Sequence, residues 1–138
     1  SSSDFIIETK VADKDILIKG LDDSSVITAV TFDMSAAGKA TFNDDVVAFS
    51  DERLKSNIQT IPGALDKVLQ MRGVNFEKNG HKSMGVIAQE VQKVIPEVVS
   101  TENKDGEEYL GVAYPNMVGV LIEAIKDLQS QVNELKKG

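Results

Sequence analysis

Pro115-Asn116-Met117-Val118-Gly119-Val120-Leu121-Ile122-Glu123-Ala124-Ile125-Lys126-Asp127-Leu128-Gln129-Ser130-Gln131-Val132-Asn133-Glu134-Leu135-Lys136-Lys137 is the stretch whose reading decides the fold. Val118, Leu121, Ile125, Leu128, Val132 and Leu135 are spaced 3, 4, 3, 4, 3. That is a heptad seam with Val118, Ile125 and Val132 at a, and Leu121, Leu128 and Leu135 at d. Glu123, Lys126, Asp127, Gln129, Asn133, Glu134 and Lys136 fall on the opposite face. Near Val118–Ile125 the apolar surface widens, because Val120, Ile122 and Ala124 join it. This half is expected to pack into a globular module. The distal half, Leu128 to Leu135, is apolar only at a and d, the pattern of an inter-chain coiled coil. Two to three heptads are too few to hold alone, so the rest of an oligomer must support them. An amphipathic helix packed on its own domain is the plainer alternative.

Outward from this helix, the sequence predicts a small α+β module. Ile58-Gln59-Thr60-Ile61-Pro62-Gly63 leads into a short helix with Ala64, Leu65, Val68 and Leu69 on its apolar face and Gly73 as its end. Val74-Asn75-Phe76-Glu77-Lys78 alternates like a strand, and Asn79-Gly80 is a hairpin signal. Val86 to Val94 reads as a second helix, stopped by Ile95-Pro96. Val98-Val99-Ser100 is extended, Asn103-Lys104-Asp105-Gly106 turns, and Glu107 to Val112 is a strand.

Residues 4–49 show no helical period. Phe5–Val11, Asp15–Lys19, Val26–Met34, Ala40–Phe42 and Val46–Phe49 read as strands, separated by turn clusters Gly20–Ser25, Ala36–Lys39 and Asn43–Asp45. Such alternation is shared by sandwiches, barrels and β-solenoids. The opening Ser1-Ser2-Ser3 reads as a frayed end or an appended remnant.

Composition limits the function. The 138 residues are 41% hydrophobic and 27% charged, with few aromatics and no Trp, so a thin or segmented core supported by oligomerisation is expected. Residues 1–50 carry four lysines against nine acids (−5), and residues 51–138 eleven bases against thirteen acids (−2), matching the total of −7. Phosphate binding needs a basic face, so nucleic acid is not the expected partner. Without Cys there is no disulfide, thiol catalysis or Cys-based zinc site. One His and scattered acids lack metal-ligand spacing, and no phosphate-binding Gly loop occurs, so neither metal nor other cofactor is expected. No signal peptide or membrane-spanning run appears. Asp44, Asp45, Asp51 and Glu52 cluster in sequence, but nothing marks a sugar cleft.

Ser50-Asp51-Glu52-Arg53-Leu54-Lys55-Ser56-Asn57-Ile58, Ala64-Leu65-Asp66-Lys67-Val68-Leu69, Gly85-Val86-Ile87-Ala88-Gln89-Glu90-Val91 with Ile95-Pro96-Glu97-Val98-Val99, and Leu121-Ile122-Glu123-Ala124-Ile125-Lys126-Asp127-Leu128 occur in this order. Together they resemble the intramolecular chaperone and auto-processing domain at the C-termini of phage endosialidases, tail fibres, tailspikes and neck appendages. Residues 4–49 look similar to the β-rich stalk that precedes it. The resemblance implies an α+β chain in three parts. Residues 1–49 would be the β-rich end of a fibre shaft, β-solenoid or prism-like and intertwined in a trimer. Residues 50–114 would be the chaperone and autoprotease module, and residues 115–138 a coiled-coil helix. It implies a homotrimer that assists folding of its own upstream shaft, without nucleic acid, membrane or cofactor, and then releases itself. The setting would be the host cytoplasm during assembly and the virion after maturation.

The family uses a Ser-Lys dyad, and Ser50 and Lys55 match its positions. A Ser hydroxyl needs a base to take its proton, and a Lys serves if burial lowers its pKa. Residues at odd spacing on one strand face opposite sides. A turn at Asp51-Glu52, or a Lys55 from a neighbouring chain, would bring the pair together. The expected cut is Ser50–Asp51, with Phe49–Ser50 as the second choice. Without the family, Ser50-Asp51-Glu52-Arg53 reads as a helix N-cap followed by acids, and such an N-terminus would also offer N–H groups to an oxyanion. Arg53 and Asn57 are candidates to orient the loop, supply oxyanion contacts or pair with acids. His81 matches the family only loosely and reads first as an exposed loop residue. Gln89 and Glu90 read as structural. The rival reading is a fibre tip that trimerises, does not cut, and contacts a host receptor.

Overall fold

The computed structural model describes residues 5–138, so the opening Ser1-Ser2-Ser3 lies outside them. The chain divides into two units, the first ending at Lys55 and the second spanning Ser56–Gly138.

In the first unit, β1 (Ile16–Asp22), β2 (Ser25–Asp33) and β3 (Lys39–Phe42) form an antiparallel meander in the order β1-β2-β3. A two-residue turn at Asp23-Ser24 closes β1 onto β2 with Asp22 opposite Ser25. Asp23 takes φ +52°, a left-handed conformation that Asp tolerates better than most residues. The β1–β2 register shifts between Ile18 and Lys19, a bulge that bends the strand. At the other turn the Asp33 carboxylate accepts from Ser35 Oγ at 2.7 Å and from the Ala36 N–H at 2.9 Å. These bonds, the Ser35 one first, hold its pKa below the usual carboxylate range. Two predicted strands, Phe5–Val11 and Val46–Phe49, are not strands here. A strand exists through its ladder, and neither stretch finds a partner among the described residues. The sheet buries neither face: Leu17, Ile18, Leu21, Val26 and Phe42 are all exposed.

The second unit is α+β. It contains α1 (Ala64–Leu69), the hairpin β4 (Val74–Lys78) and β5 (His81–Gly85), and α2 (Ala88–Val94). A second hairpin, β6 (Val99–Lys104) and β7 (Glu107–Val112), leads to α3 (Val118–Lys136). Asn79-Gly80 and Asp105-Gly106 turn the hairpins with φ of +53°, +76°, +56° and +84°, the two-residue geometry their sequences favour. α1 ends short of Gly73. The N–H groups of Gln70 and Met71 bond back three residues, to Lys67 and Val68, so the last turn tightens and stops the helix. α2 stops where expected, since the residue before a proline avoids the α region and Ile95 sits at φ −137°, ψ 70°. Pro115 lies in a 3-10 turn, Tyr114–Met117, that runs into α3.

The core is Ala64, Val91, Ile95, Met117, Val120 and Ala124, with Leu65, Val68, Val94 and Val98 packed against it. α1 packs along α3. Small Ala64 and Ala124 are both almost fully buried, and residues without side-chain bulk let helices approach closely. The widened apolar half of α3 therefore packs into the module only in part, because a helix shows its own domain a single face. Met117, Val120 and Ala124 face the core, whereas Ile122 stays half exposed.

Candidate functional site

The segment around Ser50 is built by one local turn. Asp51 is extended at φ −61°, ψ 137°, and Lys55 is extended again at φ −122°, ψ 151°. Between them Glu52–Leu54 is a single 3-10 turn. The Leu54 N–H donates to the Asp51 carbonyl at 3.1 Å and the Lys55 N–H to the Glu52 carbonyl at 3.0 Å. Five extended residues would span about 16 Å. The turn shortens that path, and Lys55 Nζ donates to Ser50 Oγ at 2.7 Å. Within the single chain the turn is Glu52–Leu54, one residue beyond the Asp51-Glu52 turn considered from the sequence, and Asp51 itself is extended.

The N-cap of this turn is Asp51 rather than Ser50. Its Oδ1 accepts from the Arg53 N–H at 2.9 Å. The Arg53 guanidinium closes on the same carboxylate, Nε to Oδ1 at 2.9 Å and a terminal nitrogen to Oδ2 at 2.7 Å. The Arg53 hydrogen bond is the main reason that the Asp51 carboxyl is held below its usual pKa, and it raises that of Arg53. Asp51 thus engages the N–H groups of Arg53, through its side chain, and of Leu54, through its carbonyl, and neither of these two is free for an oxyanion. Arg53 pairs with an acid, one of the roles considered for it. Asn57 sits in the left-handed region at φ +52°.

Phe49, Asp51, Arg53 and Leu54 line a shallow depression. Ser50 and Lys55 are exposed, Leu54 is 69% exposed and Phe49 96% exposed. In base catalysis the hydrogen bond must run the other way, with a neutral amine taking the Ser50 proton. Burial is what favours the neutral amine, and the single chain does not supply it.

In the second unit, His81 is the first residue of β5 rather than part of a loop, opposite Lys78 and exposed. Gln89 is exposed. Glu90 is bridged by Arg72, whose Nε and terminal nitrogen reach its carboxylate at 3.1 and 2.7 Å. That bond chiefly lowers the Glu90 pKa. Asp127, placed by its heptad position on the polar face, is half-buried and caps α1. Gly63, the residue before α1, has no capping side chain, the one signal in the sequence that an acceptor must come from elsewhere. Among the described residues no group of three or more His, Cys, Asp or Glu could hold a metal ion.

Along α3, Val118, Leu121, Ile125, Leu128 and Leu135 are exposed, Ile125 by 67% and Leu135 by 81%, while Val132 is half-buried. The helix thus has two apolar faces, one covered by its own chain and one uncovered.

Residues 50–100 match the family described as chaperone of endosialidase. The chain is 39% identical over 95 residues to the long tail fiber protein Gp37 of Enterobacteria phage K3, covering 63% of this chain and 8% of that protein. It is 33% identical over 108 residues to the Gp37 of Enterobacteria phage M1, covering 72% of this chain and 43% of that protein. The chain therefore spans less than half the length of these relatives. The resemblance read from the ordered motifs, to this chaperone family and to phage tail fibres, stands on both findings.

Proposed function

We propose that this chain is the C-terminal intramolecular chaperone of a phage tail fibre or tailspike, and that it trimerises, helps its own upstream β-shaft to fold, and cuts itself beside Ser50. The observation that carries the cutting is the 2.7 Å contact between Lys55 Nζ and Ser50 Oγ, at the residue where the family match begins. Ser50 is the nucleophile and Lys55 its base. The net reaction is hydrolysis: water is consumed, and one peptide bond becomes a carboxylate and an amine. The preferred bond is Ser50–Asp51. That preference comes from the resemblance, since the family is described as cut with this Ser retained upstream; Phe49–Ser50 is the second choice, although Ser50 reaches the preceding carbonyl without the strain of attacking its own.

Burial is the missing ingredient, and assembly supplies it. The exposed seam of α3 and the uncovered faces of β1–β3 are apolar surfaces a trimer would close. In this proposal residues 1–49 are the end of the shaft, solenoid- or prism-like once intertwined, 50–114 the processing module and 115–138 the coiled-coil helix. Closing the trimer around Ser50 and Lys55 would favour the neutral amine and couple cutting to completed assembly. Assembly takes place in the host cytoplasm, and the matured fibre belongs to the virion. Arg53, Asn57 and His81 are accessory candidates.

The exposure of both Ser50 and Lys55 favours one rival, a non-cleaving trimeric fibre tip that contacts a host receptor. Intact mass over time, read beside oligomer size, separates the two. The proposal expects clipped wild type and full-length Ser50→Ala and Lys55→Ala. A trimeric wild type that stays whole would sink it. Cleavage that proceeds equally fast in dilute monomer would sink the coupling to assembly.

A further inference from the structure

We infer that Asp51 and Arg53 act together as a positioning clamp that holds Ser50 and Lys55 in reacting distance, an inference that rests on the self-cleaving reading above. The Asp51 side chain does two things at once. It caps the 3-10 turn through the Arg53 N–H at 2.9 Å, and it takes the Arg53 guanidinium in a two-point pair at 2.9 and 2.7 Å. A bidentate pair fixes direction as well as distance.

The turn so closed is what folds Lys55 back onto Ser50. Without the cap, the three residues Glu52–Leu54 are held by two backbone bonds, a short 3-10 segment of poor intrinsic stability. All the side chains concerned are exposed, so no core packing locates Lys55. In an extended segment Ser50 and Lys55 would point to opposite sides. The clamp is therefore the local device that converts sequence spacing into a reacting pair. The side chains of Asp51 and Arg53 bond to each other and not to Ser50 Oγ or Lys55 Nζ; they act through the turn.

The cleavage rate of the assembled chain, followed by intact mass, tests this. Asp51→Ala and Arg53→Ala should each slow cutting on the order of 10- to 100-fold, the penalty of small misplacement. Trimer size should stay unchanged, because the proposed seam that holds the chains together lies on α3, away in sequence from Asp51 and Arg53. The double variant should be about as slow as the slower single, since the two act as one unit. Asp51→Asn keeps an acceptor for the Arg53 N–H and should recover part of the rate. Arg53→Lys, which cannot make the two-point pair, should recover less.

Wild-type cutting in Arg53→Ala would overturn the clamp and leave Asp51 acting only as a neighbour of the scissile bond. Multiplying single effects in the double variant would overturn it too. If Asp51→Ala fails to assemble, Arg53→Ala and Arg53→Lys decide alone. A trimeric wild type that never cuts overturns the underlying reading itself, and is distinguishable from all these results.

Discussion

The carboxylate of Asp127, on α3, accepts a hydrogen bond from the backbone N–H of Leu65 at the start of α1, at 3.3 Å and 62 residues away in sequence. The residue before α1 is Gly63, which has no side chain to cap with. The long helix thus supplies the cap and places negative charge at the positive end of the short one. Asp127→Ala should lower stability by about 1 kcal/mol. Asp127→Asn, keeping an acceptor, should lose less. Urea unfolding at fixed protein concentration checks this, and an unchanged midpoint in Asp127→Ala would rule the cap out as a contributor.

Glu90 should titrate below an ordinary glutamate because Arg72 grips its carboxylate at two points. A depressed folded pKa contributes stability above the unfolded value, about 4.3. That contribution fades as pH falls through the lower folded value. Carboxyl NMR of wild type and Arg72→Ala reads it directly. The Glu90 midpoint should rise when the guanidinium is gone, and an unchanged midpoint would rule out Arg72 as the cause.

Gly85 is a tight place. A Cβ there would fall on the Tyr114 hydroxyl and lie 3.4 Å from Phe76. The same hydroxyl accepts from the Val86 N–H at 3.3 Å, tying β5 to the turn that starts α3. Gly85→Ala should cost about 1–3 kcal/mol, the range for forcing extra volume into a packed site. Adding Tyr114→Phe should recover part of it, since the clashing oxygen goes. Thermal unfolding of the two single variants and the double gives the coupling, and strict additivity would rule out the clash as the cause.

The uncovered seam of α3 predicts loss of assembly without loss of the monomer fold. Ile125 is 67% and Leu128 50% exposed, so neither contributes much to its own chain's core. Ile125→Asp with Leu128→Asp should shift the proposed trimer to monomer in sedimentation while leaving helix content nearly intact. Under the proposed coupling the same variant should not cut. Unchanged trimer mass would show that the seam does not hold the chains together.

Much of this molecule is written in short-range pattern. The heptad residues of α3, the Asn79-Gly80 and Asp105-Gly106 hairpins, the stop at Ile95-Pro96 and the α+β character of residues 56–138 follow from periodicity and turn chemistry. Both act within a few residues. The order of four motifs likewise carried the resemblance to a phage fibre chaperone, and Ser50 with Lys55 as candidates.

What the tertiary structure decided is pairing over distance or geometry within a turn. Sequence could not say that Phe5–Val11 finds no ladder partner among the described residues, since strand propensity describes a residue and pairing describes two segments. The same holds for the second face of α3, where Asp127 reads as solvated by its heptad position yet caps a helix 62 residues upstream. At Ser50 the spacing left an intrachain turn and a neighbour's lysine equally open. The 3-10 turn, capped by Asp51 rather than Ser50, brings Lys55 to 2.7 Å within one chain. The reason is physical: an extended and a turned path differ in the backbone conformation of Glu52–Leu54, which a handful of local hydrogen bonds set and residue spacing does not.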